Sequence, residues 1–433
     1  MAEQRSRPRV TGARAVGWRA AGLAVLGAAV AFAGSACTSS ASGPGPSRPS
    51  GSGSSGVAPS RGAGGAAGAT AEAPPLTILT RAPAGGKSEI FISPRGGKFR
   101  SGPEIVTKAG KVLWFRPLPA GQAATDFRTQ TYLGRPVLTW WQGQNSVHPA
   151  FGADYVYDSH YRQIAKVTPG NGCSTDFHEF LITPGNTALI TATRTATANL
   201  TSIGGPARQK VIDGIVQELD IRTGKVLFEW DSAGHVPYRD SHEPLPKSAT
   251  MPWDWFHINA AHLDTDGNLL INSRFTWTTY KVDRHTGRII WELGGRQSTF
   301  RLRAGPGQAL DKAGKIFAYE HDPEALGHGL YTFFDDESAD SGTLLPRSRA
   351  VVVRVDLARK IATLVRSYDQ PEGLVATAQG SAQTIPGGDV FIGWGMLPYL
   401  SEFSPAGRLL FNARFPAGVS SYRAYLLPWP PAG

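Results

Sequence analysis

Three histidines occur in short stretches of similar composition, each a few residues before a turn that contains glycine. They are His178 in residues 176–180, His257 in residues 254–259 and His321 in residues 319–322. Arg274 follows the second stretch. An arginine can donate two parallel hydrogen bonds to a tetrahedral anion, and a protonated histidine can donate one. If the fold brings these four side chains together, they form a site for such an anion.

The histidines allow two other interpretations. Three hydrogen-bonded imidazoles can fill the interior of a fold without any further role, and three histidines with acidic neighbours can bind zinc. A guanidinium close to a metal cation is unfavourable, so Arg274 favours an anion over a metal. We therefore expect no metal and no other cofactor.

The elements that would position these residues are short β-strands. The chain has 433 residues with 51 Gly and 32 Pro, a composition that disfavours long helices. One pattern recurs: an apolar alternating strand, a polar turn with glycine, and a second strand. Its six copies lie at residues 103–115, 155–167, 216–230, 280–291, 352–366 and 400–414. Such a period predicts a repeat architecture.

A second kind of hairpin lies between these copies, at residues 130–141, 180–193, 261–274, 329–334 and 383–394. Two hairpins in each repeat make four strands, which is the size of a propeller blade. We expect an all-β fold, a six-bladed β-propeller over residues 75–433, in which residues 422–427 complete the first blade beside residues 88–93. A large β-sandwich is the alternative, but it does not explain the six-fold regularity.

In a propeller, the three histidines are expected to lie together at one end of the central channel. The start of each inner strand points into the central channel at one end of the ring. Histidines at equivalent positions of different blades therefore converge on the axis, although they are far apart in sequence. Arg274, at the end of its hairpin, is expected to reach the same space.

Other motifs exclude several classes of ligand. Residues 264–268 resemble a calcium loop but lack the closing glutamate, so we interpret them as the turn of a hairpin. The chain has neither a GxxxxGK[ST] motif nor a strand-linked GxGxxG motif, so no nucleotide is expected. The net charge is +10, but no basic run lies outside the first residues, so no nucleic acid is expected either.

The N-terminal residues predict export. Arginines precede the apolar stretch 20–33, and small residues lead to Cys37, so residues 1–36 are interpreted as a signal peptide with Cys37 as a lipidation site. Residues 37–74 are rich in Ser, Gly, Pro and Ala and are predicted to be a disordered tether. The protein would be a lipoprotein on the outer face of the cell membrane, or simply secreted. Cys173, the other cysteine, is expected to be a small buried residue.

Around the three histidines and in several other segments, the chain resembles the bacterial arylsulfotransferase family, in its actinobacterial and fungal branch. The segments that carry the resemblance are residues 138–143, 176–180, 254–260, 267–274, 290–295 and 320–322. The resemblance implies a six-bladed propeller that moves a sulfuryl group from an aryl sulfate to a phenol, both small molecules. It also implies a transiently sulfated histidine and no nucleotide donor.

Carried over by position, the resemblance implies that His321 is the nucleophile. His257, His178 and Arg274 would surround the sulfate, with Asn259 beside them. Asp322 or Glu320 would fix the tautomer of His321. Four tryptophans are candidates for an aromatic pocket or, equally, for blade cores: Trp140, Trp141, Trp255 and Trp394.

The chain lacks the separate N-terminal β-domain and the disulfide of enterobacterial members. The acceptor and the oligomeric state therefore stay open. The alternative function is a non-catalytic propeller on the cell surface that binds a ligand or acts as a scaffold.

Overall fold

The structure, a computed structural model, describes residues 72–81, 88–146, 149–339 and 342–429. The predicted signal peptide, Cys37 and nearly all of the predicted tether lie outside the described residues. No helix within the described ranges has the length and apolar character needed to cross a membrane. In the same ranges the helical elements are three short 3₁₀ helices at Thr201–Ile203, Ser232–Gly234 and Tyr238–Asp240.

All other regular elements are β-strands. The first half of the chain contains β1 (Thr77–Thr80), β2 (Ser88–Gly96), β3 (Glu104–Val106), β4 (Val112–Phe115), β5 (Ala123–Tyr132), β6 (Arg135–Gln144), β7 (Phe151–Tyr157), β8 (Gln163–Val167), β9 (Ser174–Ile182), β10 (Thr187–Ala198), β11 (Gln209–Asp220), β12 (Val226–Asp231) and β13 (Trp253–Asp254). The second half contains β14 (Ile258–Leu263), β15 (Leu269–Ser273), β16 (Thr278–Val282), β17 (Ile289–Gly294), β18 (Arg301–Ala304), β19 (His321–Gly327), β20 (Leu330–Asp335), β21 (Ser338–Ala339), β22 (Gly342–Thr343), β23 (Arg349–Asp356), β24 (Ile361–Asp369), β25 (Ser381–Thr384), β26 (Val390–Gly393), β27 (Tyr399–Phe403), β28 (Leu409–Arg414) and β29 (Val419–Pro428).

These strands form the six blades of a β-propeller, which confirms the predicted fold. From the inner strand outward, the blades are β29-β2-β3-β4, β5-β6-β7-β8, β9-β10-β11-β12, β14-β15-β16-β17, β19-β20-β23-β24 and β25-β26-β27-β28. Within each blade the neighbours are antiparallel. Three blades carry an additional strand: β13 pairs with β11, β18 with β24 and β1 with β28. β21 and β22 form a separate small hairpin.

The ring closes through both ends of the folded part. β29 pairs with β2 from Ser88 opposite Pro428 to Gly96 opposite Val419, so the C-terminal strand is the innermost strand of the first blade. This is the closure that the sequence predicted. At the other end, β1 adds a fifth strand to the outside of the last blade, where Thr77 pairs with Arg414. No pattern in the sequence predicted this second connection.

Glycine makes the tight hairpin turns possible. Gly267 lies between β14 and β15 with φ +83°, and Gly387 and Gly388 lie between β25 and β26 with φ +103° and +90°. These values are costly for residues with a Cβ atom. The side chain of Asp264 accepts hydrogen bonds from Lys281 (2.7 Å) and Tyr331 (2.8 Å). The segment 264–268 is therefore a hairpin turn, as predicted.

Irregularities at the start of the inner strands face the channel. The pairing register shifts between Thr125 and Arg128 in β5, between Ile258 and Ala260 in β14, and between His321 and Glu324 in β19. In β9 the corresponding shift falls between residues 175 and 180. A β-bulge redirects side chains that would otherwise alternate across the sheet. It therefore changes which residues of these inner strands face the axis.

Candidate functional site

The three histidines predicted from the sequence meet at one end of the channel, in a cavity of about 350 Å³. The ring centroids of His178 and His257 are 5.2 Å apart, and those of His178 and His321 are 6.5 Å apart. Arg274 also lines the cavity. The remaining lining residues are Phe177, Glu243, Pro244, Phe275, Thr377, Ala378, Gln379 and Met396. The four residues singled out for their chemistry are thus neighbours in space.

Each histidine is held by a carboxylate at its Nδ1 atom. Nδ1 of His178 lies 2.8 Å from Oδ2 of Asp176, and Nδ1 of His257 lies 2.5 Å from Oδ2 of Asp254. A carboxylate at one ring nitrogen fixes the orientation and tautomer of an imidazole, so the other nitrogen keeps a defined role. In both cases Nε2 is the atom left for a ligand.

His321 has the same arrangement, with a partner that the sequence analysis missed. Its Nδ1 lies 2.6 Å from Oδ2 of Asp336 and 3.1 Å from the carbonyl oxygen of Tyr319. The backbone N–H of Gln379 donates to Nε2 at 3.3 Å. An Nε2 that accepts a hydrogen bond carries a lone pair, so the proton resides on Nδ1, toward Asp336.

The surroundings keep His321 neutral. Burial lowers the pKa of His321 well below its usual value, and the nearby positive charge of Arg274 acts in the same direction. Burial also raises the pKa of Asp336 well above its usual value, with Arg274 opposing. A neutral imidazole with a lone pair on Nε2 is the nucleophilic form of histidine.

His178 has a similar environment. Burial lowers the pKa of His178, although Asp176 opposes the shift. Burial alone would raise the pKa of Asp176, but the contacts with His178 and Thr191 outweigh it, and that pKa lies below its usual value. Phe177 stacks on the His178 ring at 4.1 Å between centroids.

Several residues around the cavity have left-handed backbone conformations. The φ angles are +50° at His257, +59° at Tyr319, +54° at Asp322 and +72° at Gln379. Such angles are uncommon for residues other than glycine and concentrate at functional sites, where the surrounding structure maintains them. Here they direct His257 into the cavity and the N–H of Gln379 toward Nε2 of His321.

Arg274 is anchored by backbone oxygens and keeps a free donor. Its Nη2 donates to the carbonyl oxygens of Thr377 at 2.6 Å and Ser338 at 3.4 Å. Its guanidinium lies 5.2 Å from the ring centroids of both Phe275 and Tyr319. The buried Nε atom has no hydrogen-bond partner in the structure. An anion in the cavity would satisfy this donor.

An ionic network closes the channel beneath the cavity. Nη1 of Arg423 lies 3.1 Å from Asp126, 2.9 Å from Glu179 and 3.3 Å from Asp322. Arg128 pairs with Asp126 at 2.7 Å and with Glu179. All of these side chains are almost fully buried. The network joins the inner strands of blades 1, 2, 3 and 5.

His262 from β14 adds blade 4 to this network. Its Nε2 lies 2.8 Å from Glu179 and 3.5 Å from Asp322. Burial lowers the pKa of His262, but the two carboxylates outweigh it and bring the pKa to about 10. The protonated ring has no lone pair for a metal ion, and Arg423 contacts both carboxylates. Although these three side chains are close enough to hold a cation, the group is a poor metal site.

The predicted tryptophans do not line the cavity. Trp255 donates to Asp213 at 2.9 Å and Trp394 to Ser401 at 2.8 Å, both inside blade cores. Trp140 is also a core residue. Trp141 is buried behind Phe177, with 5.9 Å between the ring centroids. The aromatic rings at the cavity are Phe177 and Phe275, which the sequence analysis did not select.

Asn259 also lies behind the cavity rather than in its lining. Its Nδ2 donates to the carbonyl oxygen of Glu320 at 2.7 Å, and its Oδ1 accepts from Asn272 at 2.8 Å. It therefore fixes the backbone immediately before His321. A direct contact between Asn259 and a substrate stays a prediction.

Two detailed expectations are wrong. The carboxylate at Nδ1 of His321 belongs to Asp336, whereas Asp322 lies in the ionic network and the carboxylate oxygens of Glu320 have no hydrogen-bond partner. Cys173 is half-buried rather than fully buried, and its Sγ accepts a hydrogen bond from Arg194 at 3.2 Å.

The model of the arylsulfotransferase (ASST) family matches residues 128–416, a range that includes the three histidines and Arg274. Similar solved structures include a protein of unknown function from Bacteroides caccae, 12% identical with a TM-score of 0.48, covering 79% of this chain and 99% of that one. A catalytically inactive virginiamycin B lyase from Staphylococcus aureus is 9% identical with a TM-score of 0.38, covering 80% and 88%. Curated protein sequences gave no significant match.

Proposed function

This chain belongs to the arylsulfotransferase family, and from that premise we propose that it transfers a sulfuryl group from an aryl sulfate ester to a phenol through a sulfated His321. The transfer uses no nucleotide donor. The observation that carries the proposal is the cavity in which three carboxylate-held histidines surround a position beside Arg274. Such a constellation provides a nucleophile, a proton donor and positive charge within one site.

In the first half-reaction, Nε2 of His321 gives up its 3.3 Å hydrogen bond from the Gln379 N–H, and its lone pair attacks the sulfur atom of the donor. The N–S bond forms as the bond from sulfur to the aryl oxygen breaks, and the aryloxide departs. Sulfation places positive charge on the imidazole, and Asp336 at Nδ1 stabilises it or accepts its proton. Because His321 is neutral before the reaction, no proton has to be removed first.

The transition state of sulfuryl transfer resembles that of phosphoryl transfer, with negative charge on the equatorial oxygens and on the departing oxygen. Arg274 is the donor that faces this charge, and His178 adds a second one only when it is protonated, a form that Asp176 at Nδ1 stabilises. Preorganised donors of this kind contribute about 3 kcal/mol each. The unpaired Nε of Arg274 is consistent with a donor reserved for a ligand.

His257 is the candidate for proton transfer. Asp254 holds its Nδ1, which leaves Nε2 to protonate the departing aryloxide. In the second half-reaction the same atom takes the proton of the incoming phenol, whose oxygen attacks sulfur and releases His321. Phe177 and Phe275 provide ring faces against which the aryl groups can stack.

The protein is further proposed to be exported and held at the outer face of the cell membrane through a lipid on Cys37. The apolar stretch before Cys37 and the Ser-, Gly- and Ala-rich residues after it support this. Replacing Cys37 with Ser should move the protein from the membrane fraction to the soluble fraction. If the variant stays in the membrane fraction, the anchor is not at Cys37.

The direct test of the transferase is sulfate transfer from 4-nitrophenyl sulfate to phenol by residues 75–433, with EDTA present and no nucleotide added. Release of 4-nitrophenolate that depends on the phenol supports the proposal, provided that it disappears in the His321→Leu variant. The absence of release with a panel of phenols would favour a binding propeller. Release that requires zinc would contradict the histidine mechanism.

A further inference from the structure

A guanidinium without a carboxylate partner lies at the rim of the histidine cavity. Arg95 is near the end of β2 and is partly buried. Its Nη2 lies 3.9 Å from Sδ of Met396, a residue of the cavity lining. A thioether sulfur is only a weak acceptor. Among the described residues, no carboxylate oxygen lies within ion-pair distance of Arg95.

Short paths of contacts connect Arg95 with the reacting end of the cavity. The backbone N–H of Met396 donates to the carbonyl oxygen of Ala378 at 3.2 Å, and the following residue, Gln379, donates to Nε2 of His321. On the other side, Tyr422 lies close to Arg95, and its hydroxyl donates to the carbonyl oxygen of His178 at 3.3 Å. The guanidinium therefore lies on the face of the propeller where the cavity opens.

Three buried arginines other than Arg274 differ from Arg95 in their partners. Arg128, Arg349 and Arg423 each contact two or more carboxylates. Burial lowers the pKa of Arg95, although Tyr422 opposes the shift. An arginine stays charged even so, and a partly desolvated charge without a counter-ion is unfavourable. A ligand that supplies a negative charge would remove this cost.

We propose that Arg95 binds a second anionic group on the aryl substrate, at the end of the molecule that points out of the cavity. The proposal rests on the proposed function, in which the reacting oxygen lies between His321 and Arg274. The substrate class is then a phenol, or its sulfate ester, that carries a carboxylate or a second sulfate on the ring. Arg95 sets the preference for these compounds over neutral phenols.

The test compares two acceptors that differ in one charge, 4-hydroxybenzoate and its methyl ester, with the 3-hydroxy isomers as a second pair. The ratio of kcat/KM for the acid to kcat/KM for the ester is measured in the wild type and in Arg95→Met. We expect the ratio to fall by about tenfold or more, as for the loss of one charge-assisted hydrogen bond. Arg95→Lys, which retains the charge, should recover part of it.

The matched control is Arg359→Met. Arg359 is exposed, pairs with Asp356 and lies outside the cavity, so the ratio should not change. An unchanged ratio in Arg95→Met would overturn the proposal, and so would an equal loss with acid and ester, because that result indicates a merely structural role.

A binding measurement separates this proposal from the transferase itself. Calorimetric titration of the wild type with 4-hydroxybenzoate and with its methyl ester requires no turnover. Tighter binding of the acid, with the difference lost in Arg95→Met, supports the role of Arg95 even if no sulfate is transferred. Equal binding of acid and ester by the wild type overturns it, whatever the outcome of the transfer assay.

Discussion

Nδ1 of His321 lies 2.6 Å from Oδ2 of Asp336, a residue that follows β20, the strand paired with the strand that begins at His321. His321 lies opposite Phe334, so Asp336 is two residues beyond the cross-strand partner. Both side chains are buried, so the contact is shielded from solvent. The pair orients Nε2 of His321 toward the cavity.

Replacing Asp336 with Asn should impair the chemistry and leave binding largely intact. The amide cannot accept the Nδ1 proton and stabilise positive charge as a carboxylate does. We expect kcat to fall by about 10²- to 10⁴-fold with a small change in KM. Steady-state kinetics with 4-nitrophenyl sulfate would show this.

Glu320→Gln is the comparison for that variant. Glu320 is buried near the same strand, but its carboxylate does not contact His321. If Glu320→Gln loses as much activity as Asp336→Asn, a general effect of buried acids explains the loss and the specific role of Asp336 is wrong.

Arg274→Lys should weaken both the binding of the donor and the stabilisation of the transition state. A lysine keeps the charge but cannot reproduce the contacts to the carbonyl oxygens of Thr377 and Ser338 while also donating into the cavity. We expect kcat/KM for 4-nitrophenyl sulfate to fall by about 10²- to 10³-fold. Inhibition by inorganic sulfate should weaken in parallel. Retention of full activity would show that Arg274 neither binds the donor nor stabilises the transition state.

The ionic network beneath the cavity predicts a loss of stability at alkaline pH. The pKa of His262 is raised from about 6.5 in the unfolded chain to about 10 in the folded one. Its contribution is therefore fully present below pH 6.5 and is lost as the pH rises through about 10. Desolvation raises the pKa of two acids, Glu104 and Glu324, to about 8, and they act in the same direction at lower pH.

The decisive window for His262 is thus pH 8.5 to 10, where those acids have already titrated. The urea midpoint of the wild type should decrease across this window, and in His262→Gln the decrease should be smaller. A midpoint with the same pH dependence in both proteins would show that His262 is not protonated in the network.

The fold was largely predictable because its signals are local. Alternating apolar residues, turns with glycine such as Gly267, and the six-fold spacing all lie within single hairpins. The position of the histidines followed from their equivalent places at the start of inner strands. β1 was not predictable, because its four residues gain their pairing only when β28 is already in place.

The carboxylates that hold the histidines and the aromatic residues that line the cavity were harder to predict. Asp176 and Asp254 lie two and three residues before their histidines, and this spacing was visible in the sequence. Asp336 lies fifteen residues after His321 and reaches it only through the pairing of two strands. Phe177 lies in the irregular part of the inner strand β9 and faces the cavity, whereas Trp140 and Trp141 lie on β6 and Trp394 follows β26, the second strands of their blades, where they pack into the blade cores.

Transfer of sulfate through His321 requires a covalent sulfuryl adduct on this residue, which a non-catalytic binding propeller would not form. Incubation of residues 75–433 with 4-nitrophenyl sulfate without an acceptor should release 4-nitrophenolate in a burst of about one equivalent per protein, followed by a slow phase. Mass spectrometry of a digest kept at alkaline pH should then locate one added sulfuryl group on the peptide that contains His321, and none in His321→Leu. Turnover without any burst or adduct, or an adduct on another residue, would contradict His321 as the nucleophile.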